Sequence, residues 1–147
     1  PESLGHVRDK STDPFEKPII QPNYISAEID LHVLLDGMKI ARRLLQTTPM
    51  LPYFDGEIYP GEAVQSDDDL MQTAKDRGTT TFHSMGTCRM GPRSDPTSVV
   101  DEELRVYGLS ALRVVDASIM PTMPSANTNA STLMIAEKAA AMIKNTG

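Results

Sequence analysis

Residues 131–143 put Leu133, Met134, Ile135, Ala136, Ala139, Ala140, Met142 and Ile143 on almost every side of a helix. A helix apolar on most faces is buried between layers, not laid on a surface. The rest of the chain must therefore cover it on more than one side. The segment in front of it, Ser125-Ala126-Asn127-Thr128-Asn129, is rich in side chains that accept backbone N–H groups at helix starts. A second helix is predicted from Ser26, read as its N-cap, to about Gln46. Glu28 and Asp30 lie in its positive first turn, and Leu31, Leu34, Met38, Ala41 and Leu45 recur at three- and four-residue steps. That stripe reads as core packing. A third helix is predicted from Ser66, paired with Asp69 in a capping box, to Gly78. The run Asp67-Asp68-Asp69 suits a helix N-terminus and is read as a cap, not as a metal cluster.

Between these helices the chain is punctuated by prolines and glycines. Gly5-His6-Val7-Arg8 reads as a short strand, and Pro18 and Pro22 hold Ile19-Ile20 extended. Residues 48–61 form a loop broken by Pro49, Pro52 and Pro60, with Asp55-Gly56 as a turn. Thr79-Thr80-Thr81-Phe82 is β-branched and aromatic, which predicts a strand ending at His83. Leu104-Arg105-Val106-Tyr107 and Leu112-Arg113-Val114-Val115 read as strands about Gly108. The fold class is α/β (or α+β), with a few strands, three substantial helices and long loops.

Composition narrows the function. At 147 residues one compact domain is possible. A formal charge of −6 argues against nucleic acid as a partner. No stretch approaches the roughly 20 apolar residues that span a bilayer, and a cytoplasmic location is expected. The single cysteine, Cys88, excludes an internal disulfide, and His6, His32 and His83 show no metal-ligand spacing. No metal is expected, and Cys88 reads as a small buried residue. No GxGxxG turn for a dinucleotide is present.

The chemistry lies in three blocks: His83-Ser84-Met85-Gly86-Thr87-Cys88-Arg89-Met90-Gly91, Val114-Val115-Asp116-Ala117, and the Asn-rich run before the last helix. A histidine is suited to moving protons because its unperturbed pKa is about 6.5. By itself His83 reads better as a structural residue bonded to backbone. Asn127 cannot act as a base, but its amide can donate to a developing alkoxide; as a plain helix cap it needs no further role, and both readings can hold together. Asp116 closes a strand, where α/β sheets gather ligands, or caps a turn. Arg89 reads as a structural tie.

In order and spacing these blocks resemble the C-terminal region of the glucose–methanol–choline (GMC) family of FAD-dependent oxidoreductases, in its choline-dehydrogenase-like branch. The similarity runs from Pro18-Ile19-Ile20-Gln21-Pro22-Asn23-Tyr24-Ile25 through Pro60-Gly61 and Val64-Gln65-Ser66-Asp67 to Glu137-Lys138-Ala139-Ala140. It departs from the common family form at Phe82, where tyrosine is frequent, at Ser84, where proline is frequent, and at Met85, where a smaller apolar residue is usual.

The resemblance implies that residues 1–78 belong to a substrate-binding domain and residues 79–147 return to an FAD-binding domain. It implies His83 as base for an alcohol substrate, Asn127 as its partner across the substrate oxygen, Asp116 and Ala117 beside the ribityl–pyrophosphate part of FAD, and Asn129 near the flavin pyrimidine. The activity implied is hydride transfer from an alcohol, choline among the candidates, to FAD. Most of the FAD site would lie upstream, so the chain alone is expected to be a cut, inactive fragment that self-associates through its apolar faces. A hydroxynitrile lyase that keeps the flavin, or a non-catalytic module, would share the same motifs. The particular alcohol and the electron acceptor are not legible in them.

Overall fold

The computed structural model describes residues 1–145. They form an α/β structure with three helices and a two-stranded sheet. The chain divides into two compact units, Pro1–Thr79 and Thr80–Gly147.

In the first unit, β1 (His6–Arg8) pairs antiparallel with β2 (Ile19–Gln21), and Val7 lies opposite Ile20. Helix α1 spans Glu28–Leu45 and α2 spans Asp67–Arg77. The two helices pack together. Leu31 and Leu35 are buried on α1, as are Leu70 and Ala74 on α2; each pair is spaced four residues apart, which puts both members on one face. Arg42 adds a polar clamp. Its Nε and Nη2 bond the two Glu57 carboxylate oxygens at 2.8 and 2.7 Å, and Nη2 also reaches the Val64 carbonyl at 2.8 Å. This planar fork holds the 48–61 loop against the helix.

The cap of α2 is as expected. Ser66 Oγ accepts the Asp69 N–H at 3.1 Å and donates to its carboxylate at 2.6 Å, and Gly78 closes the helix. A Cβ on Gly78 would lie 2.4 Å from the Ala74 carbonyl oxygen, so only glycine fits there. The start of α1 corrects the sequence reading. The N-cap position is Ala27, not Ser26, and it has no capping side chain of its own. The N-terminal segment supplies the polar contacts instead: Ser3 Oγ accepts the Ala27 N–H at 3.0 Å, and Asp30 accepts the amides of Glu2 and Ser3. Ser3 thus accepts the amide of the N-cap residue itself, whereas Ser26 was expected to accept an amide of the first turn.

The second unit has little regular structure besides α3 (Thr128–Lys144). Residues 79–82 are not a strand, because Phe82 adopts φ 61° and breaks extended geometry just before His83. The two expected strands about Gly108 reduce to isolated bridges, Arg105 with Arg113 and Val100 with Val106. Positive φ at Leu104 and Ala111 stops either from extending. Order comes from a buried cluster of Val100, Leu104, Ile119, Met120, Ile135 and Ala139, flanked by Met85, Met90, Val114 and Val115. Leu133 and Met134 on α3 remain exposed, so within the described residues this helix buries one face and not most of its circumference.

Ile119 is among the largest fully buried side chains of the unit. Ile119→Ala should lower the stability of the full-length protein by about 2–5 kcal/mol, read as a lowered midpoint in chemical unfolding. A change near zero would show that this cluster does not hold the unit.

Candidate active site at the start of helix α3

The His83 block is stitched to the Asp116 block by the backbone. The amides of Gly86, Cys88 and Met90 donate to the carbonyls of Ala117, Ser118 and Ile119 at 3.4, 2.9 and 2.8 Å. The donors advance two residues at a time while the acceptors advance one. The acceptors fit this step because residues Ala117–Ile119 form a 3-10 turn. Gly86 has φ +82°, a conformation in which an L side chain would be strained.

Asp116 caps that turn: its carboxylate accepts the Ser118 N–H at 2.8 Å, and the residue is exposed. Ala117 is half-buried against the core cluster. Cys88, expected as a small buried residue, is only partly buried. Arg89 ties the following loop, with Nη1 3.3 Å from Thr97 Oγ1 and Nη2 3.8 Å from the Asp95 carboxylate.

Helix α3 brings the remaining residues to His83. Asn127 is its N-cap, with Oδ1 accepting the Asn129 N–H at 2.9 Å. Asn127 Nδ2 then faces His83 Nε2 at 3.4 Å. On the other side of the ring, His83 Nδ1 lies 3.2 Å from Thr128 Oγ1. Two successive residues at the helix start thus contact both imidazole nitrogens. Asn129 is exposed at the same end.

The structure therefore brings together His83 and Asn127, and joins the Asp116–Ala117 turn to the His83 block through backbone. The sequence reading missed Thr128. Its signal was present as a β-branched hydroxyl residue directly after an N-cap asparagine, but a cap-like run gave no reason to single it out. Among the described residues, no group of three His, Cys, Asp or Glu side chains is placed to hold a metal ion, and no helix is long and apolar enough to cross a membrane.

The electrostatics of α3 differ from those of the other helices. Acidic residues occupy the first turns of α1 (Glu28, Asp30) and α2 (Asp67, Asp68, Asp69), whereas α3 has none. The partial positive charge at its N-terminus is left uncompensated by its own first turn, and the exposed Asn129 amide adds further hydrogen-bonding capacity. This donor set fits the electron-rich edge of a flavin.

Comparison with known proteins gives the setting. The sequence pattern of the family described as GMC oxidoreductase matches residues 1–136. An alcohol dehydrogenase [acceptor] from Pseudomonas putida is 48% identical over 97% of this chain and 26% of its own length. Mitochondrial choline dehydrogenase from Homo sapiens is 44% identical over 97% of this chain and 24% of its own. The chain thus spans about a quarter of the length of these relatives. Among solved structures, pyridoxine 4-oxidase from Mesorbium loti superposes with a TM-score of 0.90 at 32% identity, covering 99% of this chain and 28% of that one. A fungal aryl-alcohol oxidase gives 0.79 at 32% identity over 95% of this chain and 23% of that one.

The loop behind the His83 block carries a carboxylate held in its charged form by its neighbours. The Thr97 hydroxyl and then the Thr97 amide, with a smaller contribution from Arg89, hold the Asp95 carboxyl below its usual 3.8. A carboxyl depressed on folding contributes its full stabilisation above the unfolded-state value and loses it as pH falls through the depressed one. Asp95→Asn should therefore flatten the acid-side loss of stability below roughly pH 4 while removing stability at neutral pH. Parallel acid profiles for the two proteins would contradict this.

Proposed function

The chain belongs to the GMC oxidoreductase family, and from that premise we propose that it forms the proton-accepting side of an alcohol-oxidising site in an FAD-dependent enzyme. The observation that carries the reading is the contact between His83 Nε2 and Asn127 Nδ2. It sets a ring nitrogen and an amide N–H side by side, the pair of partners an alcohol oxygen needs. The alcohol O–H donates to Nε2, and the oxygen accepts from Nδ2–H. As the proton passes to Nε2, negative charge grows on the oxygen and the amide stabilises it. FAD, when bound, supplies the acceptor for the hydride that leaves the carbinol carbon. The alcohol loses one proton and one hydride, and a carbonyl compound results.

In the same proposal, Asn129 and the first turn of α3 meet the flavin ring edge that gains electron density. Asp116 and Ala117 lie along the ribityl–pyrophosphate part. The Asp116 carboxylate already accepts one amide through the turn cap, so its second oxygen is the one offered to the cofactor. Residues 79–147 then serve the FAD-binding domain and residues 1–78 the substrate domain. Hydride acceptance needs the whole protein, so the 147 residues by themselves are inactive. The relatives are named for alcohols and for choline, and a small alcohol is the substrate class proposed. A quaternary ammonium would require an aromatic cage supplied largely from elsewhere, since this stretch has no tryptophan.

Anaerobic addition of choline and a panel of primary alcohols to the full-length protein should bleach the bound flavin. His83→Ala should slow that bleaching by about 10²- to 10⁴-fold with FAD retained; a near-normal rate would remove His83 from the base role. Asn129→Ala should lower the flavin reduction potential, measured by dye equilibration, because a donor to the reduced ring is lost. An unchanged potential would take Asn129 out of the site.

A further inference from the structure

We propose that Thr128 is a positioning residue that holds the His83 imidazole in its Nδ1-protonated tautomer and so leaves Nε2 as the nitrogen that takes the substrate proton. Asn127 Oδ1 accepts the Asn129 N–H at 2.9 Å. Reversing the amide would set an NH2 group against that N–H, two donors at hydrogen-bond distance, so the orientation of the Asn127 amide is settled by the helix. Its Nδ2 consequently faces His83, and it can only donate. Nε2, 3.4 Å away, is then the acceptor of the ring. A neutral imidazole with a lone pair on Nε2 carries its proton on Nδ1. That N–H points at Thr128 Oγ1, 3.2 Å away, and the hydroxyl oxygen accepts it.

Burial supports the assignment. Thr128 is 8% exposed and is the buried polar residue of the described core. A buried hydroxyl is costly without a partner, and its partner here is the ring. Threonine is also branched at Cβ, so its hydroxyl is held in few rotamers. Its place at the first position of α3 fixes it one residue from Asn127. The helix start thus sets the acceptor for Nδ1 and the donor for Nε2 as a single rigid unit. If the tautomer changed, Nε2–H would oppose Asn127 Nδ2–H; if the ring flipped, a carbon would replace Nε2 beside Asn127, and in either case the base would be lost.

Two arms test this in the full-length flavoprotein, and only the kinetic one rests on the alcohol-oxidation reading. In the first arm, the protein is labelled with ¹⁵N-histidine and His83 is identified by the signal that His83→Gln removes. Long-range ¹H–¹⁵N correlation should show the proton on Nδ1 in the wild type and in Thr128→Ser, and a mixture of tautomers in Thr128→Val. A proton on Nε2 in the wild type, or an unaltered tautomer in Thr128→Val, overturns the proposal. If Thr128→Val fails to retain FAD, the wild-type and Thr128→Ser spectra decide.

The second arm uses whichever of choline, benzyl alcohol or ethanol bleaches the flavin fastest. Thr128→Val should slow the limiting rate of flavin reduction about tenfold, with the half-saturating alcohol concentration little changed, and Thr128→Ser should restore it. Loss of alcohol binding at an unchanged limiting rate would count against a positioning role. If no alcohol bleaches the flavin, the proposed function fails, and the tautomer measurement still decides the role of Thr128.

Discussion

Three backbone hydrogen bonds, from Gly86, Cys88 and Met90 to Ala117, Ser118 and Ile119, set the register of the His83 block against the Asp116 block, and the candidate site depends on that register. Neither segment is a regular strand, so no sheet ladder would otherwise fix their register. The bonds place the chain leaving His83 on a turn whose last residue, Ile119, enters with Met120 the same buried cluster as Ile135 and Ala139 of α3. His83 is therefore connected to the start of α3 twice. One connection is indirect, through the ladder and the apolar cluster; the other is direct, through Asn127 and Thr128. Loosening the first would leave two exposed or half-buried polar contacts to hold the site alone, and contacts of that kind contribute only about 1 kcal/mol each.

Asn127 shows how structure and chemistry share one side chain. The amide has two chemically different ends. Its oxygen completes the N-terminus of α3, and its nitrogen faces the imidazole. A serine or aspartate would cap a helix comparably, but neither would present a fixed N–H to the ring. A cap reading of the Asn-rich run and a site reading are compatible, because the cap orients the donor. Thr128 extends the same logic by one residue.

Helix existence was legible in sequence because it depends on local patterns. The Ser66–Asp69 box and Gly78 act within one turn and the apolar spacing of α1 within a few, and the helices form where these patterns lie, although Leu34, Ala41 and Leu45 of the stripe read as core are exposed. Legibility failed where the deciding partner was remote. The start of α1 is served by Ser3, far away in the chain, and no reading of Ser26 could reveal that. The expected strands at 79–82, 104–107 and 112–115 had the right residue types, yet positive φ values at Phe82, Leu104 and Ala111 override β propensity. The candidate site was half legible. Residue chemistry and family resemblance singled out His83, Asn127, Asp116, Ala117 and Asn129, whereas Thr128 emerged only from an interatomic distance. Threonine is common at helix starts, and only the ring beside it distinguishes this one.

The geometry also makes the site directional within the proposed chemistry. Before reaction, Nε2 accepts and Asn127 Nδ2–H donates, so the two can face each other or share one alcohol oxygen. Once the proton has moved, Nε2–H and Nδ2–H are both donors, and an oxygen between them satisfies both. Departure of the carbonyl product would leave two donors opposed at the 3.4 Å separation of the resting pair. The resting contact can re-form only after His83 has given its proton away, because the cap prevents the amide from turning its oxygen to the ring. Resetting the base is thus a separate requirement from oxidising the alcohol, and it is imposed by a helix cap.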